Sequence, residues 1–433
     1  MGRHTGIAVL VLTILGGMTL PPPASAQQPQ PTNGTTETIQ PPIDDEIDAL
    51  ESYNLKSPRR LVKWNEYEGP AFTIRVGGGY LYDYVNFVQD DVSKQQVDVE
   101  DQWKLRDARV LLSGRLKFKR QTTWSTGIMY DKGNDEWVFR QTGIMVAVPE
   151  IWGDIFVGRT KEGISLNKVM VGYGGWALER APMNDAAIPI LADGVKWLGH
   201  VPKARILWNL GFYGDAFSEG QGFSTYGNQL AGRFAWLPVL STKGGTLVHL
   251  GVSSRYGKPK DGMLRLRSRP GAWGAPYFVD TEQFASDSTW TTGLEAYYRP
   301  GSVTIGSEVL LQNVDAPESG NPFFHGGEVF MSWLITGEVR SYNTRGGYFN
   351  LISPLRTVFS GGPGAWEVVT HLTYVDLDSG VVTGGKYWRL TPMVNWYLSD
   401  NARFEFAYGY GSLDRFDTTG KTHFLQFRLQ LQI

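Results

Sequence analysis

The chain has 433 residues, a formal net charge of −2 and no cysteine, which excludes a disulfide framework and thiol chemistry. It contains 52 glycines together with 15 Trp, 20 Tyr and 21 Phe, a content of glycine and aromatic residues above ordinary usage. The nearly balanced charge does not point to any one class of partner.

Residues 1–26 have the three parts of a secretory signal. Arg3 and His4 precede an apolar run from Ile7 to Leu15, and Ala24–Ala26 supplies the small residues before a cleavage site. The apolar run is far shorter than the roughly 20 residues that a spanning helix needs. We therefore expect an exported protein whose mature chain begins near Gln27.

Residues 27–60 separate this signal from the rest of the chain. The first part, 27–42, is rich in Pro, Thr and Gln and reads as a disordered or extended spacer. The second part, 43–60, has weak helical spacing and ends near Pro58. A short periplasmic helix and a solvated tail both remain open for it.

Residues 61–433 form the predicted barrel domain, in which apolar and polar residues alternate from about Phe72 onward. In the last segment one face carries Leu425, Phe427, Leu429, Leu431 and Ile433, and the other carries Gln426, Arg428, Gln430 and Gln432. About 14 to 16 such segments can be placed, as in a large transmembrane barrel. A soluble sandwich would also alternate. The aromatic residues near segment ends (Tyr408, Tyr410, Trp388 and Trp396) favour a barrel with interfacial girdles.

One stretch, 160–192, shows neither sustained alternation nor a helix of useful length. Long loops of this kind are usually functional or disordered. We expect it to fold into the lumen as a constriction loop. The predicted fold class is therefore all-β: a transmembrane antiparallel β-barrel of about 16 strands with an inward-folded constriction loop.

Several segments resemble, in order, those of the phosphate-selective porin O and P family. They are LRDARVLLSGRL (105–116), DIFVGRTKEGISLNKVMVGYGGWALERA (154–181), VFMSWLITGEVRSY (329–342), GAWEVVTHLTYVDLDSG (364–380), VNWYLSDNARF (394–404) and the terminal FLQFRLQLQI. The resemblance implies a homotrimeric porin of about 16 strands that passes anions, in some members phosphate or polyphosphate. Basic positions that match the family's motifs are Arg106, Arg109, Lys161, Arg180, Arg340 and Arg403. Gly163 stands where the family usually has Pro, and His371 where it has Arg.

Cationic side chains at the narrowest point would favour anions, because arginine matches phosphate oxygens with two donors at once. Alternation places one set on the lumen face: Arg109, Arg115, Lys117, Arg205 and Arg233. A second set belongs to the expected constriction loop: Arg159, Lys161, Lys168 and Arg180. The alternative is that these cations pair with inward acidic residues and only structure the wall.

A basic ladder, Arg265, Arg267 and Arg269, is expected either to steer anions at the outer mouth or to bind the anionic sugars of lipopolysaccharide. We expect membrane lipid, lipopolysaccharide and small anions as partners. No catalytic or metal-site motif is present, and we expect no catalysis, metal, cofactor or nucleic-acid partner. The rival hypotheses are a general diffusion porin and a non-transporting outer-membrane barrel that tethers periplasmic partners.

Overall fold

The computed structural model describes residues 65–131, 136–170, 172–214, 226–241 and 245–433. The predicted signal (1–26) and spacer (27–60) lie outside the described residues. In the part of the chain that is described, no helix is long and apolar enough to cross a membrane.

The alternating segments form antiparallel strands, because a strand presents successive side chains to opposite faces of its sheet. Sixteen barrel strands lie in the described ranges, and the short strand Glu66–Glu68 pairs antiparallel with the start of the first of them. The fourth strand has two segments, both paired with the third. The strands are β1 (Thr73–Gln89), β2 (Gln102–Leu116), β3 (Thr122–Asp131), β4 (Glu136–Phe139 and Thr142–Val148), β5 (Gly153–Thr160), β6 (Ala192–Val201), β7 (Ile206–Gly214), β8 (Tyr226–Leu240), β9 (Leu247–Pro259), β10 (Ser288–Arg299), β11 (Val303–Asp315), β12 (Phe323–Leu334), β13 (Ala365–Ser379), β14 (Val382–Tyr397), β15 (Ala402–Arg415) and β16 (Thr418–Gln432).

The first and last strands close the sheet into a barrel. β1 and β16 pair from Gly79 opposite Gln432 to Gln89 opposite Thr422. The backbone of Ile433 exchanges two hydrogen bonds of 3.0 and 3.1 Å with that of Gly78. Closure removes the open sheet edge at which another chain could add.

The two faces of the wall differ as the alternation predicts. In β16, Leu425 and Leu431 are exposed on the outer face, whereas Gln426 and Arg428 are buried on the inner face. The predicted fold class, an antiparallel barrel of about 16 strands, is confirmed.

A bulge changes the alternation at one point of the wall. Leu81 of β1 lies opposite Asp107, but Tyr82 lies opposite Leu105, so that Arg106 is the extra residue in β2. A bulge of this kind re-aims a side chain. It lets Arg106 join Asp107 and Arg109 on the inner side.

The barrel has one end where β1 starts and β16 ends, which we call the terminal end, and an opposite loop end. Among the described residues, three long connections lie at the loop end: 90–101 with helix α1 (Asp91–Gln96), 161–191 with helices α2 (Leu166–Val169) and α3 (Pro182–Ala187), and 260–287. Most connections at the terminal end are short: 117–121, 149–152, 202–205, 300–302 and 398–401. The exception at that end is 335–364.

Parts of three connections fill the interior, and we call them the first (161–191), second (263–285) and third (335–352) inner segments. The second contains two small ladders, Met263–Leu264 with Phe284–Ala285 and Arg267–Ser268 with Val279–Asp280. The third contains a ladder of Tyr342–Asn343 with Tyr348–Phe349. Their apolar side chains join two buried clusters with residues of the wall. The expected inward-folded loop is therefore present, accompanied by two further segments.

Candidate functional site

The first and third inner segments meet at an aromatic junction inside the barrel. The Trp176 ring stacks on Phe330 of β12 with centroids 3.9 Å apart and meets Phe349 edge-on at 6.2 Å. Phe349 in turn lies edge-on to Tyr342 at 5.1 Å. Trp176 is only 1% exposed. The first inner segment, which enters from the loop end, and the third, which enters from the terminal end, therefore pack closely around this ring.

Four wall side chains, together with Arg340 of the third inner segment, hold the backbone around Trp176 by its carbonyl groups. The bonds run from Gln430 to Tyr173 O (3.0 Å), Arg340 to Gly174 O (2.7 Å), Arg403 to Gly175 O (2.9 Å), Asn395 to Trp176 O (3.0 Å) and Arg428 to Leu178 O (2.5 Å). We call this set the carbonyl clamp. Buried carbonyl groups need such donors, and the clamp fixes the stretch 173–178 against the wall.

Gly79 allows the same stretch to approach β1. A Cβ atom at Gly79 would lie 2.3 Å from Cζ of Tyr173. Only glycine therefore leaves room for the Tyr173 ring at this point of the wall.

Glu179 follows the clamped stretch and joins two wall arginines. Its carboxylate accepts from Arg106 at 2.7 and 3.0 Å and from Arg428 at 2.6 Å. Arg428 also makes two bonds of 2.6 Å to Asp83. Burial raises the pKa of the Glu179 carboxyl, but the charges of Arg106 and Arg428 outweigh it and hold that pKa at about 2.

Four cations gather beside this network, and we call them the cation cluster: Arg109, Arg140, Lys161 and Arg180. Arg109 bonds Asp107 and lies over the Tyr173 ring at 4.4 Å, and Arg140 approaches the Asp107 carboxylate at 3.9 Å. Lys161 and Arg180 donate instead to the backbone carbonyls of Met170 (2.6 Å) and Asn167 (3.0 Å). Because a carbonyl carries no full charge, the cluster keeps positive charge in excess.

The electrostatics of the first inner segment reflect this excess. Burial, with the charges of Arg180 and Arg140, lowers the pKa of Lys161 well below its usual range. Burial, with the charge of Arg180, lowers the pKa of Lys168 to about 7. Each lysine would hold its proton more firmly if an anion were bound nearby.

The opposite wall carries a row of carboxylates on three neighbouring strands. Glu295 of β10 lies opposite Glu308 of β11, which lies opposite Glu328 of β12. Glu308 accepts from the Asn167 backbone at 2.7 Å and from the Ser165 hydroxyl, and Glu328 accepts from the Asn167 amide. The acidic row thus anchors the start of the first inner segment.

Three side chains predicted for the anion path are buried and have partners, Arg233 and Arg159 in the wall and Lys168 in the first inner segment. Arg233 is 1% exposed and bonds Glu295 (2.7 Å) and Gly347 O (2.8 Å). Arg159 pairs with Asp193 at 2.8 Å in a buried position. Lys168 is buried and donates to Ile188 O at 2.9 Å.

Three others lie at the terminal end of the barrel. Arg115 and Lys117 are exposed, and Lys117 pairs with Glu68 at 3.0 Å. Arg205 is exposed in the turn 202–205 with φ of 55° and donates to Pro238 O at 3.3 Å. Strand alternation therefore does not govern where Arg205 points.

The predicted basic ladder belongs to the second inner segment. Arg265 bonds Asp280 at 2.6 and 2.8 Å. Arg267 and Arg269 lie over the Tyr277 ring at 4.1 and 4.2 Å. Arg269 (4.8 Å) also shares the Trp273 ring with Arg106 of the wall (4.0 Å). Cation–π contacts thus connect the ladder with the network of Glu179.

Arg140 was missed by the sequence analysis. It lies between the two segments of β4, where no alternation marks an inner face. Arg428 alternates onto the inner face of β16 but was not placed on the path, and nothing local in the sequence signals its contact with Glu179.

Comparison with known proteins gives a family and a fold. The sequence model of the family described as "Phosphate-selective porin O and P" matches residues 74–433. A protein of Caulobacter vibrioides described as uncharacterized is 30% identical over 199 residues. That match covers 45% of this chain and 39% of the relative's length, so the chain spans well under half of this relative.

Solved structures resemble the barrel at low sequence identity. The trimer form of OmpT from Vibrio cholerae has a TM-score of 0.51 and 11% identity, covering 84% of this chain and 100% of that one. An anion-selective porin from Comamonas acidovorans has a TM-score of 0.50 and 12% identity, covering 83% and 100%. At such identities the likeness shows the fold alone.

Proposed function

Since this chain belongs to the family of phosphate-selective porins O and P and is an outer-membrane porin, we propose that its channel prefers small anions of the phosphate or polyphosphate type. The cation cluster carries the proposal. Arg109, Arg140, Lys161 and Arg180 lie together in the interior, and two of them donate to uncharged carbonyls. Arginine forks match phosphate oxygens with paired donors, and lysine adds a point charge.

The proposed path uses only part of the predicted set. Arg267 and Arg269 share the Tyr277 ring, and Arg269 shares the Trp273 ring with Arg106, from which the proposed path leads to the cation cluster. Arg109 and Arg140 are each 14% exposed, which leaves donor groups accessible to an ion. Arg159 and Arg233, with their carboxylate partners, then serve as wall structure.

The first test is selectivity in planar bilayers with a KCl gradient. We expect the reversal potential to show chloride preference in the unmodified protein. The double substitution Arg109→Gln and Lys161→Gln is expected to lower the chloride-to-potassium permeability ratio, because lumen substitutions tune selectivity. Lys119→Gln, at an exposed position outside the barrel interior, is the matched control. Potassium preference in the unmodified protein would contradict the proposal.

The second test separates a phosphate channel from a general diffusion porin. Inorganic phosphate is expected to reduce the chloride current of the unmodified protein, because phosphate that binds weakly at the cation cluster slows the passage of chloride. The double variant should lose this block. A chloride current insensitive to phosphate would favour the general porin.

We also propose a homotrimer, in line with the trimer form of the Vibrio cholerae relative. Chemical cross-linking in native membranes should give a ladder that stops at three copies. A ladder that stops at one copy would contradict the trimer without bearing on ion selectivity.

A further inference from the structure

The connection 335–364 leaves the interior after its inner segment and continues along the outside of the terminal end. Two of its large apolar side chains are nearly fully exposed, Leu355 at 72% and Phe359 at 76%. Arg356 between them is also exposed. Such a group of apolar side chains on a protein surface indicates a contact with something apolar.

The exposure does not come from a loosely held loop. The backbone N–H of Leu355 donates to the Glu338 carboxylate at 3.1 Å, and that of Val358 donates to Leu398 O at 2.9 Å. Gly364 N–H closes the loop onto Arg356 O at 3.1 Å. The backbone is therefore fixed from both sides while the two apolar side chains point outward.

Two outward-facing tryptophans mark where this loop lies on the barrel. Trp366 of β13 and Trp396 of β14 stack with centroids 5.0 Å apart. Both indole N–H groups donate to Pro363 O, at 3.2 and 3.0 Å. Tryptophan is enriched where lipid tails give way to headgroups, so the loop lies at the edge of the lipid-facing surface.

The end of the barrel identifies the leaflet. Outer-membrane barrels have short periplasmic turns and longer extracellular loops. The terminal end carries the short turns 149–152, 202–205 and 398–401, so it faces the periplasm. The lipid next to this loop is then the phospholipid of the periplasmic leaflet.

We propose that residues 355–363 are a membrane anchor, in which Leu355 and Phe359 insert among the phospholipids of the periplasmic leaflet and Arg356 contacts their phosphate groups. The surface is continuous with the lipid-facing outer wall through Trp366 and Trp396. An apolar pair flanking a cation matches the boundary between acyl chains and headgroups. The same connection carries Phe349 to Trp176, so the anchor also fixes the base of the third inner segment.

The absence of cysteine makes the test direct, because one introduced thiol can be labelled alone. Leu355→Cys and Phe359→Cys, each labelled with an environment-sensitive fluorophore, are reconstituted in phospholipid vesicles. Leu372→Cys, exposed on the outer wall, serves as the lipid control, and Lys119→Cys, exposed in the turn 117–121, as the aqueous control. Folding of each variant is checked by its heat-dependent shift on a gel.

We expect brominated phospholipid to quench the fluorophores at positions 355 and 359 about as strongly as the fluorophore at position 372. Aqueous iodide should leave the fluorescence at positions 355 and 359 unquenched. Iodide quenching equal to that at Lys119 would overturn the anchor. Protection from both quenchers would also overturn it, because it would assign the surface to a protein partner. Neither result bears on ion selectivity.

Discussion

At the scale of single residues, the interior arginines differ in what accepts their hydrogen bonds. Arg340 donates to the Glu367 carboxylate and to Gly174 O of the first inner segment. Arg403 forms an ion pair with Glu405 and donates to Gly175 O of that segment. Lysine has no comparable fork of donors, which explains why arginine serves where one side chain must reach two acceptors. These side chains position the loop, whereas the proposed ion path uses the cation cluster.

Glu179 supplies a negative charge beside two interior arginines. Its carboxylate neutralises Arg106 and Arg428, so Glu179→Gln keeps the shape of the side chain while leaving one more positive charge in the interior. We expect the reversal potential in a KCl gradient to shift toward stronger chloride preference. Because the pKa of Glu179 is held at about 2, the difference between the two proteins should persist from pH 7 down to pH 4. An unchanged reversal potential would show that permeant ions do not sense this site.

Lys168 predicts a pH dependence near neutrality. The pKa of its amino group is lowered to about 7, so the group is largely a neutral amine above that pH and a charged ammonium below it. Anion preference is therefore expected to strengthen as the pH falls from 8 to 6. Lys168→Met should flatten this part of the profile in single-channel measurements. A variant that keeps the full pH response would assign it to another group.

At the scale of elements, the strands were predictable because the period of two is a local property of the sequence. The outer and inner positions of β16 follow it residue by residue. The third inner segment was not predicted, since its holding contacts join distant parts of the chain. Arg340 bonds Glu367 at 2.7 Å, and Tyr342 bonds His249 at 2.6 Å. The bulge at Arg106 and the break in β4 beside Arg140 likewise arise from pairing between strands.

Trp176 lies at the junction where the first and third inner segments meet. Trp176→Ala removes a ring that packs against Phe330 and Phe349, which leaves a cavity where two segments meet. Truncation of a buried tryptophan costs about 3–5 kcal/mol. We expect larger and noisier single-channel currents, since the stretch 173–178 then loses its packing against Phe330 and Phe349.

Trp388→Ala is the matched control, because that ring lies on the outer face of β14, 37% exposed. Its current should resemble that of the unmodified protein. An unaltered current in Trp176→Ala would mean that the junction does not limit the path.

At the scale of the whole molecule, the wall and its filling depend on different interactions. Lipid tails offer no hydrogen-bond partners. The closed ladder of strands from β1 to β16 must therefore satisfy the backbone N–H and C=O groups of the wall by itself. The inner segments are held by buried hydrogen bonds and ion pairs, together with two apolar clusters. Loosening a segment should therefore change conduction before it opens the barrel.

On the lipid-facing wall, the free-energy cost of introducing a charged side chain is expected to depend on its depth in the bilayer. Leu372 lies in the middle of β13 on the outer face, whereas Val381 lies in the turn at the loop end, 75% exposed. Arginine costs about 2–4 kcal/mol at the midplane of the bilayer and about 0–1 kcal/mol near its surface. In urea unfolding from phospholipid vesicles, Leu372→Arg should therefore lower the free energy of unfolding far more than Val381→Arg. Equal losses would show that the middle of this face does not contact lipid tails.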